Sequence, residues 1–176
     1  MSPQLFTLDQ VDFITVGTAG PADQPTFYLQ AAQGDLVVSV VIEKEQAAAL
    51  SLGIDQMLEE LGGIPDEEWG LIDVELRCPV RPLFQADSLG LGYNAEVDAL
   101  VIVARAPVAE ADERREPPEI HLWGTRVQML ALAERAAALV AAGLSNCPLC
   151  DEPLKADERH VCARGNGRKW FHFLDE

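Results

Sequence analysis

Four potential metal ligands lie close together near the C-terminus of the chain. Cys147, Cys150, His160 and Cys162 have the spacing C-x2-C-x9-H-x-C. Zinc in proteins is held tetrahedrally by thiolates and imidazoles, and four such ligands close the site. The CPLC turn can aim both sulfurs at one point, and residues at i and i+2 of an extended segment leave its same face. The spacing therefore predicts a zinc site that is structural rather than catalytic.

Other interpretations of these residues remain open. Cys147 and Cys150 also form a C-x-x-C pair, which is typical of redox centres at a helix N-terminus in a βαβ setting. Two acidic residues follow directly, and their negative charge disfavours the thiolate that redox chemistry needs. His172 is an alternative to His160 as the fourth ligand. The redox interpretation predicts a disulfide where the metal interpretation predicts bound zinc.

The last residues of the chain mix basic and aromatic side chains. Residues 163–173, ARGNGRKWFHF, contain three bases together with Trp170, Phe171 and Phe173. Such interleaving can bind single-stranded RNA, as zinc knuckles do. It also fits aromatic side chains that dock on the main domain while the bases stay in solvent, or a segment that docks on another protein.

The rest of the chain is strongly acidic. Residues 1–146 carry 23 acidic and 8 basic residues, a net charge of −15, against −1 for residues 147–176. Such a domain repels nucleic acid and anionic membranes. The first residues, MSPQLFTLDQ, show no signal-peptide pattern, and clustered cysteines favour metal binding in a reducing compartment. We therefore predict a cytoplasmic protein without membrane contact, and nucleic acid is disfavoured as a partner.

The first half of the chain predicts three strands and a helix. The strands are DFITVGT, TFYLQAAQ and LVVSVVIE, which are rich in β-branched and aromatic residues and separated by turn compositions. Residues 44–61 have helical spacing and end at two glycines. Their apolar stripe consists of Ala47, Leu50, Ile54, Leu58 and Leu61.

The second half repeats that order. Strands are predicted at 82–94, 99–108 and 119–124, and a helix at 125–143 with Thr125 as its N-cap. An offset of 82 residues superimposes the two strand-to-helix junctions, so that Gln46 matches Gln128. VELRCPV, between the halves, is a candidate seventh strand, and its Cys78 is predicted to be buried as a small hydrophobic residue.

We therefore predict an α+β protein made of two βββα units. The units, at about 5–64 and 80–143, form a mainly antiparallel sheet of about six strands with two helices on one face. They make up a body of residues 1–144. Residues 145–176 form a small zinc-ribbon-like or knuckle-like tail.

An enzyme with a pocket between the two units is an alternative. Its candidate groups are His121, Tyr93, Asn94 and Arg77. The chain has no phosphate-binding glycine motif and no G-x-S-x-G nucleophile motif. Its runs of acidic residues fit solvated surfaces rather than a buried acid and base.

Six segments in sequence order resemble an uncharacterised bacterial repeat-protein family, a domain of unknown function common in high-GC Gram-positive bacteria. The resemblance implies a cytosolic protein with a zinc-ribbon-like tail, and it implies no activity. The family is associated with a histidine-phosphatase-like and a kinase-like protein. Its members commonly end after the NG of the last segment, from which RKWFHFLDE is a departure. The segments are VGTAG (16–20), TFYLQA (26–31), SVVIEKEQ (39–46), ELRCPVR (75–81), CPLCDEPL (147–154) and HVCARGNG (160–167).

These observations favour a non-enzymatic protein-interaction or regulatory module with a structural zinc ion. An acidic surface beside a basic, aromatic tail suits recognition of a protein partner or self-association. The alternatives are the enzyme with a pocket between the units and a zinc-knuckle binder of single-stranded RNA.

Overall fold

The computed structural model describes residues 5–21, 24–64, 72–108 and 116–143. Within these ranges the chain forms seven strands and two helices, and the fold class is α+β as predicted. The elements are β1 (Leu5–Leu8), β2 (Phe13–Ala19), β3 (Thr26–Gln33), β4 (Leu36–Ile42), α1 (Lys44–Glu60), β5 (Ser88–Asn94), β6 (Ala99–Arg105), β7 (Glu119–Gly124) and α2 (Arg126–Gly143).

Both helices begin with the same capping arrangement. The backbone N–H of Glu43 donates to the side-chain oxygen of Gln46 at 2.8 Å, and that of Thr125 donates to Gln128 at 2.9 Å. Such a contact satisfies a backbone donor that precedes the first helical turn. Thr125 also accepts from the backbone of Gln128, which confirms the predicted N-cap. Helix α1 is followed by Gly62 and Gly63, whose φ angles of 89° and 85° suit glycine.

The strands form two sheets instead of the single one expected. One sheet has the order β2-β3-β4 and is antiparallel throughout. The other has the order β1-β7-β6-β5, in which only the β1–β7 pair is parallel. The sheets are therefore mainly antiparallel, as predicted, but they are separate hydrogen-bonded units.

Two short segments explain the division, because the chain changes sheets after each of them. The first is β1, which pairs with β7 before β2 begins the other sheet. The second is residues 83–86, which lie beside β4. Val41 donates to the Phe84 carbonyl at 2.9 Å, and Ala86 donates to the Val41 carbonyl at 2.8 Å. The predicted strand at 82–94 therefore consists of this segment and β5.

The core lies around the contact between the two helices, which also pack on strands of the sheets. Helices α1 and α2 pack against each other, α2 packs on β2, and α1 packs on β5. The hydroxyl of Ser51 on α1 donates to the carbonyl of Ala133 on α2 at 2.9 Å, and both residues are buried. The largest apolar side chains below 2% exposure come from all parts of the fold and include Leu8, Ile14, Leu29, Ile54, Leu100, Ile102, Ile120, Met129 and Leu132.

Corresponding hydrogen bonds recur in the two halves of the chain. The backbone N–H of Asp12 donates to the Ala32 carbonyl and that of Asp87 donates to the Arg105 carbonyl, both at 2.8 Å. The side chain of Gln128 donates to the Val11 carbonyl at 2.9 Å, and that of Gln46 donates to the Ala86 carbonyl at 3.2 Å. Each glutamine is the third residue of its helix and binds the residue that lies two before a strand of the opposite half, β2 for Gln128 and β5 for Gln46.

The segment VELRCPV is not a strand, and Cys78 is exposed rather than buried. The main chain there is bound by side chains of the β2-β3-β4 sheet instead of a strand partner. Gln30 accepts from the Arg77 N–H at 2.7 Å and donates to the Arg77 carbonyl at 3.0 Å. This arrangement leaves the next side chain, Cys78, facing solvent. Neither described helix is long and apolar enough to cross a membrane.

Candidate functional site

The four predicted zinc ligands, Cys147, Cys150, His160 and Cys162, lie outside the described residues, as does His172. Within the described ranges no group of three or more His, Cys, Asp or Glu side chains is arranged to hold a metal ion. The metal site therefore stays a prediction of the sequence. The described body contains other arrangements of polar residues that bear on function.

An open cleft of about 470 Å³ lies where the β1–β2 connection meets the β5–β6 turn and the start of α2. Its polar groups come from both halves of the chain, with Asp9 from the first and Asn94, Asp98 and Gln128 from the second. Its wall also includes the indole of Trp123. Of the four enzyme candidates, only Asn94 lines this cleft, although Tyr93 contacts Asp98 at its edge.

Asp98 is the best-connected carboxylate of the cleft. It accepts from the Tyr93 hydroxyl at 2.7 Å and from Arg126 Nε at 2.8 Å. The Tyr93 hydroxyl and, after it, the Arg126 guanidinium hold the pKa of Asp98 below its ordinary value, because both donate to the ionised form. Asp98 has a φ of 49°, a left-handed conformation in which Asp and Asn are enriched. The two donors thus hold the carboxylate in place and favour its ionised form.

The same arginine ties the cleft to the end of α1. Arg126 Nη1 donates to the carbonyls of Leu61 and Gly63 at 3.0 and 2.9 Å. These carbonyls lie at the C-terminus of α1, where the helix dipole favours a positive charge. Arg126 also lies over the Tyr93 ring, 5.9 Å from its centroid. One guanidinium therefore links the β5–β6 turn of the second half to the end of α1 in the first half.

His121 lies elsewhere, on the outer face of the β1-β7-β6-β5 sheet. Its Nε2 is 2.7 Å from Glu119 Oε1, and Arg105 donates to Glu119 Oε2 at 2.9 Å. The His121 contact, followed by the Arg105 contact, lowers the pKa of Glu119 below its ordinary value. Arg77, the fourth enzyme candidate, lies over the Phe13 ring on the other sheet at 4.5 Å. The four enzyme candidates therefore do not converge on one site.

Sequence reasoning missed a row of buried polar side chains across β2, β3 and β4. Thr15, Gln30 and Ser39 are neighbours in register and are at most 2% exposed. Thr15 donates to the Val74 carbonyl at 2.6 Å, and Gln30 donates to Ser39 at 3.1 Å. Polar residues that alternate with apolar ones in a strand ordinarily indicate a solvent-facing side. The three residues fall in one row once the strands are paired as a meander, and that alignment was the signal that another segment could cover them.

The described fold is an α+β body of two mainly antiparallel sheets and two helices. The chain matches, over residues 6–162, a protein family described as protein of unknown function DUF3090. Because this match spans most of the chain, the protein belongs to that uncharacterised family. The matched range includes all four predicted zinc ligands. No curated protein and no solved structure matches the chain significantly.

Proposed function

We propose that this protein is a non-enzymatic, cytoplasmic interaction or regulatory module, in which a duplicated βββα body carries a structural zinc ion in its C-terminal segment. The observation that carries the proposal is the spacing of Cys147, Cys150, His160 and Cys162. Three thiolates and one imidazole complete a tetrahedral zinc shell and leave no position for substrate. The ion then stabilises a small segment that has little apolar core of its own.

The recurring hydrogen bonds of the body support the duplication. Ser51 and Ala133, which meet at the contact between the helices, are separated by the 82 residues that superimpose the two strand-to-helix junctions. Residues that correspond in two repeats meet each other only at the axis that relates the repeats. The axis of the proposed duplication therefore passes between α1 and α2 at this hydrogen bond.

The positions of the polar groups favour binding over catalysis. The enzyme candidates are divided between the cleft, the outer face of one sheet and the outer face of the other. A general acid or base must lie within hydrogen-bond reach of the group it serves. Both carboxylates of the cleft are already hydrogen-bonded, Asp9 to Gln33 and Asp98 to Tyr93 and Arg126, which is a structural role.

An acidic body with a basic, aromatic tail is suited to contacts with protein. Strands β2 and β5 each have a hydrogen-bonded strand neighbour on one side only within the described sheets. Such edges can pair with another chain. We therefore propose a protein partner or a second copy of this chain as the binding target.

Native mass spectrometry of the protein purified without added metal tests the zinc site. We expect one zinc per chain, lost when Cys147 and Cys150 are both replaced by Ser. Cys78→Ser is the matched control, because Cys78 is exposed on the body and outside the ligand set. A metal-free chain that is two hydrogens lighter would instead indicate a disulfide, and the redox interpretation would replace the structural one.

Analytical ultracentrifugation and affinity capture test the interaction role. A self-associating module sediments as a dimer or larger species, and a module for another protein retains a defined partner on an affinity column. A protein that stays monomeric across concentrations and retains no partner would contradict this role, whatever its zinc content.

A further inference from the structure

The two sheets differ in how their outer faces are covered. On the β2-β3-β4 sheet the row Thr15, Gln30 and Ser39 is buried beneath residues 74–77. The covering segment belongs to the connection that follows α1. Its main chain satisfies the buried side chains of the row through the carbonyl of Val74 and through both the N–H and the carbonyl of Arg77.

Gly17 shows how closely this segment approaches the sheet. A Cβ atom at Gly17 would lie 2.3 Å from Cγ of Leu76, well inside van der Waals contact. Glycine is therefore required there so that Leu76 can be seated on β2. The outer face of the first sheet is thus shaped for a covering segment of the chain.

No segment among the described residues covers the corresponding row on the other sheet. Asp12 and Asp87 correspond to each other, because their backbone N–H groups make matching hydrogen bonds. Thr15 lies three residues after Asp12 and Gly90 three residues after Asp87, so Gly90 corresponds to Thr15. Gly90 is paired with Val103, and Val103 with His121. Gly90 is exposed and the other two are half-buried, in contrast to the fully buried row of the first sheet.

A shallow groove of about 380 Å³ runs over this row. It is formed by the β5–β6 hairpin, with two glycines on one strand and two valines on the other. Gly92 corresponds to Gly17, and Val101, which is paired with it, approaches the position of a Cβ there to 3.1 Å. The groove lining is Ser88, Leu89, Gly90, Leu91, Gly92, Val101, Val103 and Arg105.

We propose that residues 144–176 of this same chain dock in this groove, crossing β5 and β6 as residues 74–77 cross β2 and β3. The segment that covers the first face follows α1, and residues 144–176 follow α2, the corresponding helix. Val74 lies 14 residues beyond the end of α1 at Glu60, and 33 residues follow the end of α2 at Gly143. Residues 144–176 are therefore long enough to reach the groove on β5 and β6.

The chemistry of the groove fits an apolar side chain held by an extended main chain. The glycines leave room for close approach, and the valines offer an apolar floor. His121, Glu119 and Arg105 at the border can hydrogen-bond to a main chain that crosses them. Residues 144–176 supply Leu154, Trp170, Phe171 and Phe173 as apolar side chains. The proposal depends on the duplication and is independent of whether the segment binds zinc.

Site-specific crosslinking in the full-length protein tests the docking directly. A photoreactive phenylalanine derivative replaces Ser88 at the border of the groove, and in a control protein it replaces Leu52, which is 64% exposed on α1. We expect intramolecular crosslinks from position 88 to peptides within 144–176, and none from position 52. Crosslinks from position 88 to a second copy would assign the groove to self-association and overturn the proposal. The docking proposal would also be overturned if position 88 formed no crosslink to any peptide within 144–176.

Proteolysis measures the docking without a crosslinker. Trypsin sites at Lys155, Arg159 and Arg164 lie in the proposed occupant. Val103→Glu places a charge in the apolar groove, and we expect cleavage about tenfold faster because the docked state is less populated. Gly90→Leu fills the groove without a charge and should act in the same direction. Leu52→Glu is the control, with unchanged cleavage.

The zinc content of each sample separates the two proposals. If both groove variants keep one zinc and are cleaved at the wild-type rate, the docking proposal is wrong and the zinc site stands. If the wild-type protein contains no zinc but position 88 still crosslinks to 144–176, the docking proposal stands and the zinc site is wrong. If the body of Val103→Glu fails to fold, Gly90→Leu decides, because a Cβ at Gly90 makes only an ordinary contact, 3.8 Å from Val103.

Discussion

Arg126 joins three parts of the molecule through one guanidinium group. It binds the Asp98 carboxylate in the β5–β6 turn and the carbonyls at the end of α1, and it is itself the first residue of α2. A positive charge in the first turn of a helix opposes the helix dipole, and Asp98 offsets this. Asp98 therefore orients Arg126 and offsets its charge, and the bonds from Arg126 to the end of α1 join the second half to the first.

Asp98→Asn should weaken the protein in a pH-dependent manner. The folded pKa of Asp98 lies below its ordinary 3.8, so the ionised carboxylate stabilises the fold above that pH and loses this effect as pH falls through the folded pKa. We expect the variant to unfold at lower urea concentration than wild type at pH 7. The difference should disappear at acidic pH, where the wild-type carboxylate is protonated.

Urea unfolding at several pH values measures this, with Asp55→Asn as control. Asp55 is an exposed carboxylate on α1, so its replacement changes the net charge equally. Asn tolerates the left-handed conformation at position 98, so the variant keeps the backbone. Equal effects of the two substitutions at pH 7 would contradict a specific role for the Asp98–Arg126 pair.

At the scale of the element, periodicity and capping predicted most of the regular structure. β3 and β7 match the predicted ranges, and both helices agree within one residue. The short strand β1 was missed, because its four residues are held by β7, which is more than a hundred residues away. No local pattern encodes such a partner. The alternation in VELRCPV indicated a strand, but its hydrogen bonds go to side chains of another sheet.

Gly17→Ala tests the close approach of this connecting segment to β2. The added methyl group would collide with Leu76, so we expect a loss of about 1–3 kcal/mol, the usual cost of overpacking. Leu76→Ala in the same chain should recover much of that loss by making room. Urea unfolding of both single variants and the double variant measures the coupling.

Gly90→Ala is the matched control on the other sheet. A Cβ there lies 3.8 Å from Val103, an ordinary contact, so this substitution should leave stability nearly unchanged. If Gly17→Ala were equally harmless, or Leu76→Ala gave no recovery, the covering segment would not be seated on β2 as the structure shows.

At the scale of the whole molecule, the sequence predicted the α+β class but not the division into two sheets. Each half lends a short segment to the sheet of the other: β1 pairs with β7, and residues 83–86 pair with β4. The pairing of these two segments depends on where the chain turns between elements. The composition of the sequence does not encode those turns. The predicted metal ligands follow from local spacing alone, so they could be named without the fold, and they stay a prediction.

The packing of each helix on a strand of the other half has a consequence for folding. Helix α2 packs on β2 and helix α1 packs on β5, so neither half contains both sides of its own core. A lone half has three or four strands and one helix, and its main apolar face is uncovered, which is too little for independent stability. We therefore expect the fragment of residues 1–68 to be unfolded alone and to fold when the fragment of residues 69–176 is added in equal amount.

Circular dichroism and size-exclusion chromatography of the separate and mixed fragments measure this. Ile54→Ala in the first fragment removes a fully buried side chain that packs in the shared core, at a cost of about 2–5 kcal/mol. That cost should weaken the affinity of the fragments by about 30-fold or more. Leu52→Ala, on the exposed side of the same helix, should leave affinity unchanged. A cooperative thermal transition of the first fragment alone would show that it folds by itself, and the two halves would then be independent domains rather than one interlocked body.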